Sequence, residues 1–289
     1  MQTKIVMLGT GTPNPVPERS GPATAIIVGE RAYIIDLGIN LVRQAEIGRR
    51  MGIHQLDAKN LDIAFVTHMH SDHTLGFADL ILTPWVLERK NPLKVFGPKG
   101  ISAMAENLHK AYELDINARR YGFEQANMDG CTVEATEISE GVIYEDELVK
   151  VEAFLVNHPP FEAYGYKFTT PDKVIVISGD TTKNENLIHH AKGCDVLIHE
   201  VYSAQGVKQR SPKWANYHRN VHTSSIELGE LSAEVNPKKL VLYHQLFFRV
   251  KDESGFLISE VDRELEMIRE IEENFKGEII SAKDLMVIG

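Results

Sequence analysis

Residues 63–73 read IAFVTHMHSDH, an apolar run that passes into a cluster of histidines and an aspartate. The run Ile63 to Val66 has the length and apolar character of a buried strand. It leads directly into His68, His70, Asp72 and His73, four metal-donor side chains within six residues. Two histidines spaced by two point the same way from an extended segment, so His68 and His70 share one face. Asp72 and His73, at the turn into the following helix, face a second position. Imidazole nitrogen and carboxylate oxygen suit zinc, with manganese or iron as alternatives, and no thiolate competes. Four donors are more than one tetrahedral ion with an open position needs, so the segment implies two ions.

Two ions need further donors from elsewhere. His158, Asp180 and His244 each follow an apolar run directly, in AFLVNH, VIVISGD and LVLYH. Loops beyond strand ends are where sites assemble. Taken singly, a histidine after a strand is more often a hydrogen-bonded structural residue. Three donors at the same kind of position, in a chain that also carries HxHxDH, favour the ligand reading.

The flanking pattern is mixed α/β. Residues 24–28 and 32–36 form a hairpin about Gly29-Glu30-Arg31, and residues 164–169 and 174–178 form another. Both end in an aspartate with a glycine close by, Gly38 two residues after Asp36 and Gly179 just before Asp180. Each half then alternates helices and strands. Helices are expected over residues 39–51, 74–86, 101–116 and 259–275, the last with Val261, Leu265, Ile268, Ile271 and Phe275 on one stripe. Two β-rich halves with outer helices suggest an α/β fold, a four-layer αββα sandwich, in a single domain of residues 1–289. Residues 202–219 read as a mildly basic loop carrying Lys208, Arg210, Lys213 and Arg219. Trp85, Trp214, Phe247 and Phe248 read mostly as core, and His218 is a candidate for the pocket lining.

Composition narrows the class. Of 289 residues, 43% are hydrophobic and 25% charged, which excludes disorder, collagen and coiled coil as the whole answer. With 31 Lys plus Arg against 41 Asp plus Glu, the net charge is −10. That balance lacks the electrostatic footprint of a nucleic-acid binder, so a large polyanion is disfavoured as partner though not excluded. Cys131 and Cys194 are the two cysteines, far apart, which excludes a disulfide scaffold and a thiolate zinc site. No apolar stretch approaches the ~18 residues of a membrane span. The expected location is the cytoplasm.

LGTGTPNPVPERSGPA, YIIDLG, THMHSDH, NHPP, YGYKF, VISGDT, HEVY, HTSS and LVLYH together make the chain resemble the metallo-β-lactamase superfamily. It is most similar to the branch of ribonuclease Z and of arylsulfatase-like or phosphodiesterase-like hydrolases. The resemblance implies the αββα sandwich and a dinuclear zinc centre. It assigns His68, His70 and His158 to the first ion, Asp72, His73 and His244 to the second, and Asp180 as the bridge. It further implies a metal-bridging hydroxide as attacking group and Glu200 with His222 as a carboxylate-oriented proton donor near the leaving group. Asp36, Thr67 and Thr181 are candidates to orient the ligands.

The leading expectation is hydrolysis of a small phosphate or sulfate ester, with a lactone as a further candidate. The alternative is a ribonuclease Z-type transfer-RNA 3′ endonuclease. That enzyme typically carries a basic Gly/Pro-rich arm, and His158 and Asp180 here are only 22 positions apart. A non-catalytic metal-binding protein is disfavoured because all seven ligand positions are filled. A di-iron oxidoreductase is disfavoured because His70 stands where that branch usually has glutamate. A homodimer is the expected assembly, by resemblance to ribonuclease Z.

Overall fold

The computed structural model describes residues 2–248, 255 and 257–289. Its contacts divide into two compact units, one running up to Ser139 and joined by Lys283–Gly289, the other Glu140–Ala282.

The first unit is built on a seven-stranded sheet. Its strands are β1 (Lys4–Gly9), β2 (Ala23–Val28), β3 (Arg31–Ile35), β4 (Ile63–Phe65), β5 (Leu93–Gly97), β6 (Val133–Glu137) and, near the C-terminus, β14 (Val287–Ile288). The spatial order is β14-β1-β2-β3-β4-β5-β6. The strands β14 to β3 pair antiparallel, and β3 to β6 run parallel. All six residues of β2 are buried, which is why it reads as a continuous apolar run without alternation. Helices α1 (Leu41–Arg50), α2 (Phe77–Val86), α3 (Ile101–Ala111) and α4 (Glu113–Tyr121) complete the unit. Arg89, 1% exposed, ties α2 to the chain at Leu61 and Gly130. Its guanidinium donates to the carbonyls of Leu61, Leu80, Ile81 and Gly130 at 2.8–3.1 Å. Burial pulls its pKa down to about 10, which leaves it charged at neutral pH.

The second unit repeats the plan. Strands β7 (Gly141–Glu145), β8 (Lys150–Val156), β9 (Ala163–Thr169), β10 (Val174–Ile177), β11 (Val196–Tyr202), β12 (Lys239–Leu246) and β13 (Glu278–Ser281) form a seven-stranded sheet in the order β13-β12-β11-β10-β9-β8-β7. Here β7 to β10 are antiparallel and β10 to β13 parallel. Its helices are α5 (Glu185–Ala191), α6 (Pro212–Val221), α7 (Ser225–Val235) and α8 (Glu260–Glu272). In both units the hairpin that ends in an aspartate is thus the point where an antiparallel meander turns into a parallel run.

Four expectations need correction. Residues 202–219 are not a loop: they hold a 3-10 turn, Gly206–Gln209, and most of α6. Pro212 sits in the first turn of α6, where its fixed φ suits a helix start, and Ala215, His218 and Val221 are buried. Residues 101–116 form not one helix but parts of two, α3 and α4. In α8, Val261 and Leu265 are 60% and 46% exposed, while Arg263, Met267, Glu270 and Ile271 are buried. Glu270 accepts from Gln205 Nε2 at 2.9 Å and from the Ser225 hydroxyl, and these bonds help decide which face turns inward. Trp85 is core at 1% exposure, but Trp214 is 46% exposed.

Candidate metal centre

In the first unit, β3 and β4 are parallel neighbours, so their carboxyl ends lie side by side. Ligands of open α/β sheets gather beyond such ends. Asp36 leaves β3 with φ of 62°, a left-handed conformation that aspartate tolerates better than most residues. Its carboxylate accepts from Thr67 N at 2.8 Å, from Thr67 Oγ1 at 2.9 Å and from His73 Nδ1 at 2.8 Å. The Thr67 hydroxyl has one proton and gives it to Asp36, so its oxygen accepts from His68 Nδ1 at 3.0 Å. His68 and His73 therefore carry their protons on Nδ1 and present the Nε2 lone pair. This is the tautomer a metal requires when the far nitrogen is held by another group.

His68 Nε2 lies 3.0 Å from His70 Nδ1. Two nitrogens bound to one tetrahedral zinc at ~2.0–2.1 Å are about 3.3 Å apart, so the pair is spaced as two ligands of one ion. Asp72 Oδ2 lies 3.6 Å from His73 Nε2, a second donor pair. Met69, between the two histidines, packs against the apolar core of the unit.

In the second unit, donors again sit at the ends of parallel strands. Asp180 follows β10 after Gly179, whose φ of 61° turns the chain. Glu200 lies on β11, and His244 on β12. The register between these strands passes from Glu200↔Tyr243 to Val201↔Gln245. His244 is therefore the extra residue of a bulge, with φ of 44°. Bulges re-aim side chains in this way beside functional sites. His158 Nδ1 donates to the Val221 carbonyl at 2.7 Å, which again leaves Nε2 as the lone-pair nitrogen.

These residues converge. His158, Asp180 and His222 offer ligand atoms within 4.8 Å of one another, and so do Glu200, His222 and His244. Asp180 Oδ2 lies 3.5 Å from His244 Nε2. The set is buried and consists of nitrogen and carboxylate oxygen only, which fits a divalent transition ion. His222 ends α6, and its Nδ1 lies 3.2 Å from Glu200 Oε1. That same oxygen accepts from Thr223 N at 3.0 Å and Thr181 N at 3.2 Å. Burial pushes the Glu200 carboxyl above the usual carboxylate range, against the pull of His222. Burial also lowers His199 and His218 to about 4, so both are neutral at pH 7.

Thr67 and Asp36 take up the orienting geometry expected of them, and Thr181 contributes its backbone N–H to Glu200. The Val221 carbonyl and the Thr223 amide went unforeseen, because a backbone group leaves no mark in the sequence. His218 is 7% exposed, with its ring 5.6 Å from that of His222.

A family model described as the beta-lactamase superfamily domain matches residues 31–245. Ribonuclease Z of Mycobacterium sp. (strain KMS) is 30% identical over 254 residues, 84% of each chain. Ribonuclease Z of Mycolicibacterium gilvum (strain PYR-GCK) is 29% identical over 235 residues, 77% of this chain and 78% of its own. Among solved structures, the metallo-beta-lactamase fold protein YhfI from Bacillus subtilis matches with a TM-score of 0.73 at 16% identity, over 100% of both chains. The short form of human tRNase Z matches with a TM-score of 0.69 at 19% identity, over 99% of this chain and 98% of its own. These structures establish the metallo-β-lactamase fold. The chain belongs to the beta-lactamase superfamily, as a metal-dependent hydrolase of ester bonds whose relatives include proteins named Ribonuclease Z.

Proposed function

We propose that the chain, working as one domain of residues 1–289, is a dinuclear zinc phosphodiesterase of the ribonuclease Z type that cuts RNA near a 3′ end. The observation that carries the reading is the 3.2 Å contact of Glu200 with His222, beside the His158–Asp180–His222 cluster. A proton donor held by a carboxylate next to metal donors suits a reaction whose leaving group is a poorly stabilised alkoxide. The ribonuclease Z relatives give the substrate class its support.

In this proposal His68, His70 and His158 would hold one ion, Asp72, His73 and His244 the other, and Asp180 would serve both. When bound, the ions supply Lewis-acid polarisation and a water of lowered pKa. The protein's own groups do the rest. Asp36 and the Val221 carbonyl hold His73 and His158 in the tautomer that presents Nε2. Glu200 orients His222, with Nδ1 toward the carboxylate and Nε2 turned to the leaving oxygen. Asp72 would be a metal ligand whose carboxylate also orients the attacking water. The thiols of Cys131 and Cys194 are free and buried, which suits the reducing cytoplasm. No helix among the described residues is long and apolar enough to cross a membrane. A homodimer is the assembly proposed by resemblance, to be checked by mass in solution.

A second reading has its own observation. Between His158 and Asp180 the chain holds only the β9–β10 hairpin, the place where the resemblance leads one to expect an RNA-gripping arm. That favours a smaller phosphate or sulfate ester, or a lactone. Zinc-loaded protein should be assayed on precursor transfer RNA with a 3′ trailer, on bis-p-nitrophenyl phosphate, on p-nitrophenyl sulfate and on a simple lactone. Trailer release that weakens with added salt is expected. Turnover of the small esters with the RNA left intact would overturn the first reading in favour of the second.

A further inference from the structure

From Ser203 to Ile226 the chain carries Lys208, Arg210, Lys213 and Arg219 and no acidic residue, although its net charge is −10. The same stretch builds α6, whose aromatic residues are not all buried. Trp214 is 46% exposed and Tyr217 36%. Their rings form a continuous path inward. Trp214 lies 5.7 Å from Tyr217 and 6.1 Å from His218, the latter nearly parallel at 28°. Tyr217 and His218 lie 6.2 Å and 5.6 Å from His222. The inner end is rigid, because the His218 ring packs 4.5 Å from Phe248. Cations stand on the ring faces: Lys213 Nζ is 5.7 Å from the centre of Trp214, and the Arg210 guanidinium 5.4 Å from that of Phe248.

An exposed tryptophan alone needs no explanation. One that is backed by fixed rings, flanked by cations in an acid-free stretch and linked ring by ring to His222 is a preorganised surface. Stacking on it immobilises little, and a negative group attached to the stacked ring meets positive charge. We propose that Trp214 and Tyr217 form a stacking subsite for a planar ring joined to a phosphate, a nucleobase of the substrate, with Lys213 and Arg210 receiving the phosphate. The inference rests on the phosphodiesterase reading and names which part of the substrate lies on α6. The aryl group of a small ester has the same ring-plus-phosphate chemistry, and the test separates the two sources.

Metal-loaded protein is titrated with AMP, phenyl phosphate and ribose 5-phosphate, with tryptophan emission and equilibrium dialysis as readouts. AMP should quench the wild type saturably. Trp214→Phe should lose the quench, since Trp85 is then the remaining tryptophan, yet keep most of the affinity measured by dialysis. Trp214→Ala should bind AMP roughly 5- to 150-fold more weakly, the range that loss of one base–aromatic stack produces. Ribose 5-phosphate should bind both variants as it binds the wild type. AMP affinity within twofold of wild type in Trp214→Ala, or equal binding of ribose 5-phosphate and AMP, would overturn the subsite. Tighter binding of phenyl phosphate than of AMP would overturn the nucleobase assignment. These readouts do not depend on turnover. RNA cleavage with unchanged AMP binding in Trp214→Ala would sink the subsite alone. Trp214-dependent AMP binding without RNA cleavage would sink the RNA reading alone.

Discussion

Glu200 Oε1 lies 3.2 Å from His222 Nδ1 in a buried setting, and two backbone amides, those of Thr181 and Thr223, donate to the same oxygen. The carboxylate is therefore anchored independently of the histidine it orients. Removing His222 should leave the Glu200 position intact and expose the chemical contribution of the imidazole.

His222→Ala should lower kcat/KM by about 10²–10⁴-fold on substrates with an alkoxide leaving group, the usual worth of a general acid. The loss on p-nitrophenyl esters should be much smaller, because p-nitrophenolate leaves without a proton. Parallel kinetics on RNA and on bis-p-nitrophenyl phosphate check this. Equal losses on both would remove His222 from the proton-donor role.

Asp36→Ala removes the acceptor for His73 Nδ1 and for the Thr67 hydroxyl at once. Loss of such a supporting carboxylate typically costs about 10–100-fold in metal affinity. Competition with a chromophoric chelator measures it. An unchanged affinity would mean that His73 holds its tautomer without help.

Metal analysis of protein purified without chelator should give roughly two zinc per chain on the dinuclear reading. Asp180→Ala should abolish turnover while the circular dichroism spectrum stays that of the wild type. Wild-type rates in this variant would defeat its assignment as the bridge.

His199 is buried and neutral, with its pKa lowered to about 4 by desolvation. A histidine in the unfolded chain titrates near 6.5, so between these values the unfolded state binds more protons. Stability contributed in this way is present above about pH 6.5 and falls as the pH drops through that window. At pH 5 the loss amounts to about 2 kcal/mol. Urea denaturation of chelator-treated protein at pH 7 and pH 5 should show it. His199→Asn, which cannot titrate, should narrow the difference between the two pH values. An equal pH dependence in the variant would assign the acid sensitivity to other groups.

Arg89→Lys keeps the charge but loses the fork. The guanidinium makes five bonds to four carbonyls, whereas an ammonium has three donors. Leaving buried carbonyls unsatisfied should cost about 2–4 kcal/mol, read from the urea midpoint. A change below about 0.5 kcal/mol would show that water replaces the lost donors.

Much of this was legible in the linear chain. The apolar run of residues 63–66 followed by HxHxDH announced a strand that leads into a cluster of candidate metal donors. The runs before His158, Asp180 and His244 announced strands that lead to further candidate donors, because strand-forming residues and donor chemistry are both local properties. The two hairpins ending in Asp36 and Asp180 also mark real transitions in the two sheets. Helix faces were less legible. Of the apolar stripe expected over residues 259–275, Ile271 and Phe275 are buried, but Val261 and Leu265 are exposed, and the buried side of α8 also includes Arg263 and Glu270. The reason is that Glu270 has partners in Gln205 and Ser225, 65 and 45 residues away, and no periodicity records them.

The sequence by itself determined the donor types, their attachment to strand ends and the family. Tertiary structure alone decided which nitrogen His68, His73 and His158 present, that His244 sits in a bulge, and that residues 212–221 form a helix bearing exposed aromatic rings. Donor identity is written into a side chain. Tautomer, bulge and exposure are set by neighbours that are distant along the chain, and often by backbone atoms that every residue shares.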